Sequence, residues 1–92
     1  MRVVYSGDAR KQLKKLDNSV KVRILDYMDE VSKFDDPRAR GKALVGNYIG
    51  LWRYRVGDYR ILCDIKNDEL CILVVDVGHR RDVYIEDRKS VV

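Results

Sequence analysis

The stretch Leu51-Trp52-Arg53-Tyr54-Arg55-Val56-Gly57-Asp58-Tyr59-Arg60-Ile61-Leu62 alternates basic and bulky residues on both sides of a Gly-Asp pair. A period of two marks strands with one buried face, and a Gly-first dipeptide between two such runs predicts a hairpin closed by a type II′ turn. With Gly57 and Asp58 in the loop, Val56 faces Tyr59, Arg55 faces Arg60, Tyr54 faces Ile61 and Arg53 faces Leu62. Arg53, Arg55 and Arg60 then share one face, while Trp52, Tyr54, Val56, Tyr59, Ile61 and Cys63 share the other. The second set is apolar enough to pack on a core, so the arginines are expected to look outward.

Arginines directly opposite on neighbouring strands repel, and no carboxylate stands beside them in the paired stretch before Asp64. A multivalent anion relieves that repulsion. Guanidinium groups are planar forks that grip phosphate oxygens through two hydrogen bonds at once, so a phosphate chain is the natural candidate. The competing reading is a solvated charged face with no ligand.

Upstream of the hairpin, Arg2 to Tyr5 reads as a first strand, and Ser6 before Gly-Asp-Ala reads as the cap of a helix starting near Asp8. Ala9, Leu13 and Leu16 fall on one side of that helix, and Arg10, Lys11, Lys14 and Lys15 make the rest basic. Asp17-Asn18-Ser19 interrupts the pattern, after which Val20, Ile24, Met28 and Val31 mark a second helix ending near Phe34. The two helices are expected to form a hairpin. Asp35-Asp36-Pro37 stops the second, and the stretch to Gly50 is expected to be loop, anchored by Ala43 and Leu44. Downstream, Leu70 to Val77 is apolar on both faces, as in a covered strand near the sheet centre. Leu73 and Val75 are expected to flank the arginines, giving a groove with an apolar floor and basic walls. Gly78-His79-Arg80-Arg81-Asp82-Val83-Tyr84 then leaves the sheet with two more arginines and an aromatic.

The chain has 92 residues, 37% charged and 46% hydrophobic, with one proline, which fits a single folded domain spanning 1–92. Its longest apolar run, Leu70 to Val75, is too short to span a bilayer, and its basic N-terminus lacks the apolar stretch of a signal peptide; a cytoplasmic protein is expected. Nineteen basic against fifteen acidic residues leave +4, which favours polyanions without singling out nucleic acid. Two cysteines and one histidine supply no ligand set for zinc or an iron-sulfur cluster, so no metal or other cofactor is expected. A turn centred on Asn67 and Asp68 sets Cys71 opposite Asp64 and Cys63 opposite Ile72 on the other face, so the cysteines are not expected to bond.

The order of strand, helical hairpin and three-stranded meander, with the segments LWRYRVGDYRIL and VDVGHRRDVY, resembles the RelE/ParE toxin superfamily of bacterial toxin-antitoxin systems, nearest its RelE branch. The resemblance implies an α+β fold of order β-α-α-β-β-β, with the helical hairpin on one face of a mainly antiparallel four-stranded sheet. It also implies a ribosome-dependent endoribonuclease that cuts messenger RNA, the 2′-hydroxyl attacking its own phosphodiester without a metal. By motif position, Arg53 and Arg55 correspond to the family's alternating basic pair, Arg60 to the arginine opening the next strand, and Tyr84 to a tyrosine near the end. The arginine after the last strand corresponds to Arg80 or Arg81. Where the family often carries lysines this chain has Arg53 and Arg55, and arginine does not give up a proton near neutral pH. Tyr84 and, behind it, His79 are then the candidates for proton transfer. The expected partners are an acidic cognate antitoxin forming a hetero-oligomer with the toxin, the ribosome and messenger RNA. Two other readings stand beside this one: a ParE-like poison of DNA gyrase, and an RNA-binding module without catalysis.

Overall fold

The structure, a computed structural model, describes residues 1–79. Arg80, Arg81 and Tyr84 lie outside the described residues. The elements run β1 (Arg2–Tyr5), α1 (Gly7–Lys14), α2 (Asn18–Ser32), β2 (Lys42–Ala43), β3 (Trp52–Val56), β4 (Tyr59–Lys66) and β5 (Cys71–His79). Short 3-10 turns at Pro37–Ala39, Gly46–Tyr48 and Asn67–Glu69 connect them. No helix among the described residues is long and apolar enough to cross a membrane.

The strands form one mixed sheet in the order β1-β5-β4-β3-β2, with β1 parallel to β5 and the other neighbours antiparallel. The α+β architecture follows the sequence reading, with one correction: the sheet has five strands among the described residues, not four. The added strand is β2, where Lys42 pairs with Arg53 and Ala43 with Trp52 inside a segment expected to be loop. Gly41 makes the approach possible. It sits at φ +84°, and a Cβ there would run into the Arg53 carbonyl and the Trp52 ring.

The β3–β4 register is the one the alternation dictates, from Val56–Tyr59 through Arg55–Arg60 and Tyr54–Ile61 to Arg53–Leu62. Gly57 has φ +60°, and the only non-glycine residue with positive φ among those described is Leu70, so Asp58 does not share it; a type II′ turn has this signature. The β4–β5 register departs from expectation. Lys66 pairs with Cys71 and Asp64 with Leu73, because the connection is a 3-10 turn closed by Leu70 in the left-handed region, φ 50° and ψ 46°, rather than a two-residue turn at Asn67-Asp68. The shift is by two residues, so faces are preserved. Cys63 lies opposite Val74 and Cys71 opposite Lys66, and both thiols are buried and free.

One face of the sheet carries the main core. Tyr54, Val56, Ile61, Cys63, Ile72, Val74 and Val77 meet Ala9 and Leu13 of α1 and Ile24, Met28 and Val31 of α2. Tyr54 is fully buried, and its hydroxyl donates to the Pro37 carbonyl at 2.6 Å, tying the segment after α2 to the sheet. Burial pushes the Tyr54 phenol and the Cys63 thiol well up from their ordinary pKa values. Tyr5 is pushed up to about 12, by burial first and then by Cys63 and Asp29.

Candidate functional site

The second face is built around a bulge. Leu62 pairs with Asp76 and Cys63 with Val74, leaving Val75 as an extra residue on β5. Without it, continuing the register from Cys63–Val74 would set Asp76 opposite Ile61 and turn its carboxylate into the core. With it, Val75 and Asp76 both face away from the main core, beside Leu62. The bulge is held from the β1–α1 junction. Ser6 caps α1 by accepting from the Ala9 N–H at 3.1 Å, as the sequence predicts, and the same hydroxyl donates to the Val75 carbonyl at 3.1 Å. The Ser6 N–H bonds the Val74 carbonyl at 2.8 Å, and the Val77 N–H donates to Gln12 Oε1 at 2.7 Å. Past the end of β1, α1 thus lies along the flank of β5, with a side chain completing the ladder.

A second, smaller core covers part of this face: Leu44 and Leu62 are buried against Tyr48, Leu51 and Val75, and the Leu44 N–H meets the Leu51 carbonyl at 3.1 Å. Between it and the polar side of α1 opens a cleft of about 520 Å³. Tyr48, Leu51, Leu62 and Val75 form its apolar lining, and Asp8, Lys11, Gln12, Lys15 and Asp76 its polar lining. The groove expected from sequence, with an apolar floor and basic groups, is therefore present, but its membership differs. Leu62 replaces Leu73 in the floor beside Val75, and α1 supplies the basic wall.

Cross-strand pairing places the basic residues beside this cleft. Lys42, Arg53, Leu62 and Asp76 form one row across β2, β3, β4 and β5; Arg55, Arg60 and Gly78 form the next. Two like-charged pairs, Lys42–Arg53 and Arg55–Arg60, thus stand directly opposite one another on the face away from the main core. Arg55 is exposed and Arg60 half-buried. Arg53 corrects the expectation of three outward arginines: its exposure is 9%, because β2 pairs along one side of it and the second core gathers around its partner Leu62 on the other.

His79 is not brought to this face. It pairs with Tyr59, and the two rings meet edge to face with centroids 5.6 Å apart on the helix side of the sheet. The expected assignment of Trp52, Tyr54 and Tyr59 to the packed face holds: all three belong to the main core, and Trp52 Nε1 donates to the Arg40 carbonyl at 2.7 Å. Sequence reasoning did not single out Lys42, Asp76, Lys11 or Lys15 as site residues. A charged residue inside the apolar run Cys71 to Val77 was the available signal for Asp76.

A family model described as the ParE toxin of the type II toxin-antitoxin system, parDE, matches residues 3–84. Toxin RelG of Mycobacterium tuberculosis is 28% identical over 83 residues, covering 89% of this chain and 93% of that protein. The toxin-antitoxin complex RelBE2 of the same organism contains a chain that superposes with a TM-score of 0.78 at 27% identity, covering 88% of this chain and 92% of the other. The isolated E. coli RelE toxin superposes with a TM-score of 0.68 at 21% identity over 98% and 97% of the two chains, a likeness of fold. With strand order, helical pair and second-face basic residues all in place, the match over most of its length shows that the chain belongs to the ParE toxin family of type II toxin-antitoxin systems, within the RelE/ParE superfamily.

Proposed function

We propose that this toxin is a ribosome-dependent endoribonuclease that cuts messenger RNA and so stops translation in the cytoplasm. The observation that carries this reading is the pair of like-charged cross-strand contacts, Lys42–Arg53 and Arg55–Arg60, beside a cleft with an apolar floor. Guanidinium forks gathered on one face suit a phosphodiester backbone, and the apolar lining with Tyr48 suits a base next to it. Toxin RelG and a chain of the RelBE2 complex, each matched over most of this chain, support the reading. Attack of a ribose 2′-oxygen on the adjacent phosphorus builds negative charge, and guanidinium groups aimed at it stabilise the transition state; loss of one such donor costs on the order of a hundredfold or more in rate. The related RelBE2 toxin-antitoxin complex also supports a cognate antitoxin as partner, one whose acidic side chains neutralise this face until it is removed.

The family model favours a second reading, poisoning of DNA gyrase, because it is described by a ParE toxin. One experiment separates the two. Primer extension on messenger RNA from cells expressing the toxin is expected to give discrete cuts that disappear when ribosomes are stalled away from the message. Intact messages together with accumulated double-strand DNA breaks would establish the gyrase reading instead.

A further inference from the structure

The arginines on β3 and β4 supply charge but no proton transfer, and His79 sits on the opposite face, so the reaction needs a base from elsewhere around the cleft. Asp76 meets the requirement. It lines the cleft, follows the bulged residue Val75, and pairs with Leu62 on the floor. The segment on either side is clamped, Ser6 Oγ bonding the Val75 carbonyl and Gln12 Oε1 holding the Val77 N–H. A bulge gives up ladder pairing, and here the result is a carboxylate facing the cleft rather than the core.

We infer that Asp76 is the general base of the RNA cleavage proposed above, on which this inference rests. Its carboxylate takes the proton of the ribose 2′-hydroxyl. The 2′-oxygen then bonds to phosphorus as the bond from phosphorus to the 5′-oxygen breaks, and the departing oxygen takes a proton from water in the open cleft. The products are a 2′,3′-cyclic phosphate and a 5′-hydroxyl, and the Asp76 proton returns to solvent. Charged and titratable groups surround Asp76: Asp8, Lys11, Lys15 and Tyr48 line the same cleft, Arg53 pairs with Leu62, the cross-strand partner of Asp76, and Arg60 pairs with Gly78 two residues further along β5.

The test is single-turnover cleavage by purified full-length toxin on ribosomes programmed with a short message, with D76N and D76E compared with the wild type across pH. The wild-type rate is expected to rise with pH through the acid range and then level off. D76N is expected to bind programmed ribosomes like the wild type, to cleave about a hundredfold or more slowly, and to lack the acid limb. D76E, which keeps a carboxylate, is expected to recover most of the rate and the limb. Cleavage by D76N within a few-fold of wild type, or equal loss in D76N and D76E, would overturn the assignment of Asp76 while leaving the nuclease standing. A wild type that cuts no message on ribosomes removes the nuclease reading and this inference with it.

Discussion

Arg55 and Arg60 stand directly across from one another on β3 and β4, one exposed and one half-buried, held there by a two-residue turn that fixes the register. Like charges in this position destabilise a sheet by up to about 1 kcal/mol. Arg55→Gln is therefore expected to raise the unfolding free energy by a few tenths of a kcal/mol and to relieve growth arrest at the same time. Inorganic phosphate should stabilise the wild type more than this variant. Denaturant titrations with and without phosphate, alongside growth curves, check both halves; a variant that is less stable and still fully toxic would contradict the functional role of the pair.

Leu70 closes the β4–β5 turn at φ 50°, a conformation that costs a residue with a Cβ roughly 1–2 kcal/mol, and its side chain is exposed. Little burial is lost on removing it. Leu70→Gly is expected to leave toxicity unchanged and to raise stability by up to about 1 kcal/mol, read as a higher denaturation midpoint at unchanged slope.

The same turn shows what the sequence could and could not reveal. Gly57-Asp58 names its own turn type, and with alternation on both sides the hairpin register and the packed aromatics were legible. Asn67-Asp68 also reads as a two-residue turn, but the connection takes four residues and ends on a left-handed leucine, which local composition does not favour. Lys42–Ala43 is too short to show a period. The bulge at Val75 hides in a run apolar on both faces, where adding a residue leaves the pattern unchanged. The contributions of Lys11, Lys15 and Asp76 to the cleft depend on α1 lying along the β5 flank, a tertiary placement that no local pattern encodes.

Tyr5, Tyr54 and Cys63 are acids whose neutral forms burial favours, so their folded pKa values lie above the unfolded ones. Each then contributes stability that is complete below its unfolded pKa, near 9.0 for the thiol and 10.0 for the phenols, and is lost as pH rises toward the folded value. The melting temperature is expected to hold steady through neutral pH and to fall from about pH 9 upward. Tyr5→Phe should flatten the part of the fall between pH 10 and 12. A melting temperature independent of pH across this range would contradict the burial of these groups.

Gln12 completes the β5 ladder with a side-chain oxygen at 2.7 Å from the Val77 nitrogen. Gln12→Leu removes the acceptor and leaves a part-buried N–H without its bond, a loss of about 1–3 kcal/mol. Hydrogen exchange at the Val77 amide should accelerate by more than that at Ile72, which lies in the middle of the β1–β5–β4 ladder. Equal acceleration at both amides would mean that Gln12 acts on global stability and does not brace the bulge.

Arg53 and Arg55 are two residues apart on one face, yet 9% exposure for Arg53 against an exposed Arg55 separates their roles. Truncating Arg53 to Ala deletes a buried stem as well as a charge and is expected to cost about 1–3 kcal/mol, whereas Arg55→Ala should fall within about half a kcal/mol of wild type. Relief of toxicity by Arg53→Ala alone would thus confuse unfolding with loss of function. Arg53→Lys keeps the stem and the charge and gives up only the planar fork. If Arg53 grips a phosphate, Arg53→Lys is expected to stay within about 1 kcal/mol of wild type in denaturant while cleaving at least tenfold more slowly. Wild-type cleavage by a stable Arg53→Lys would assign Arg53 to the scaffold and leave Arg55 and Arg60 as the arginines that meet the RNA.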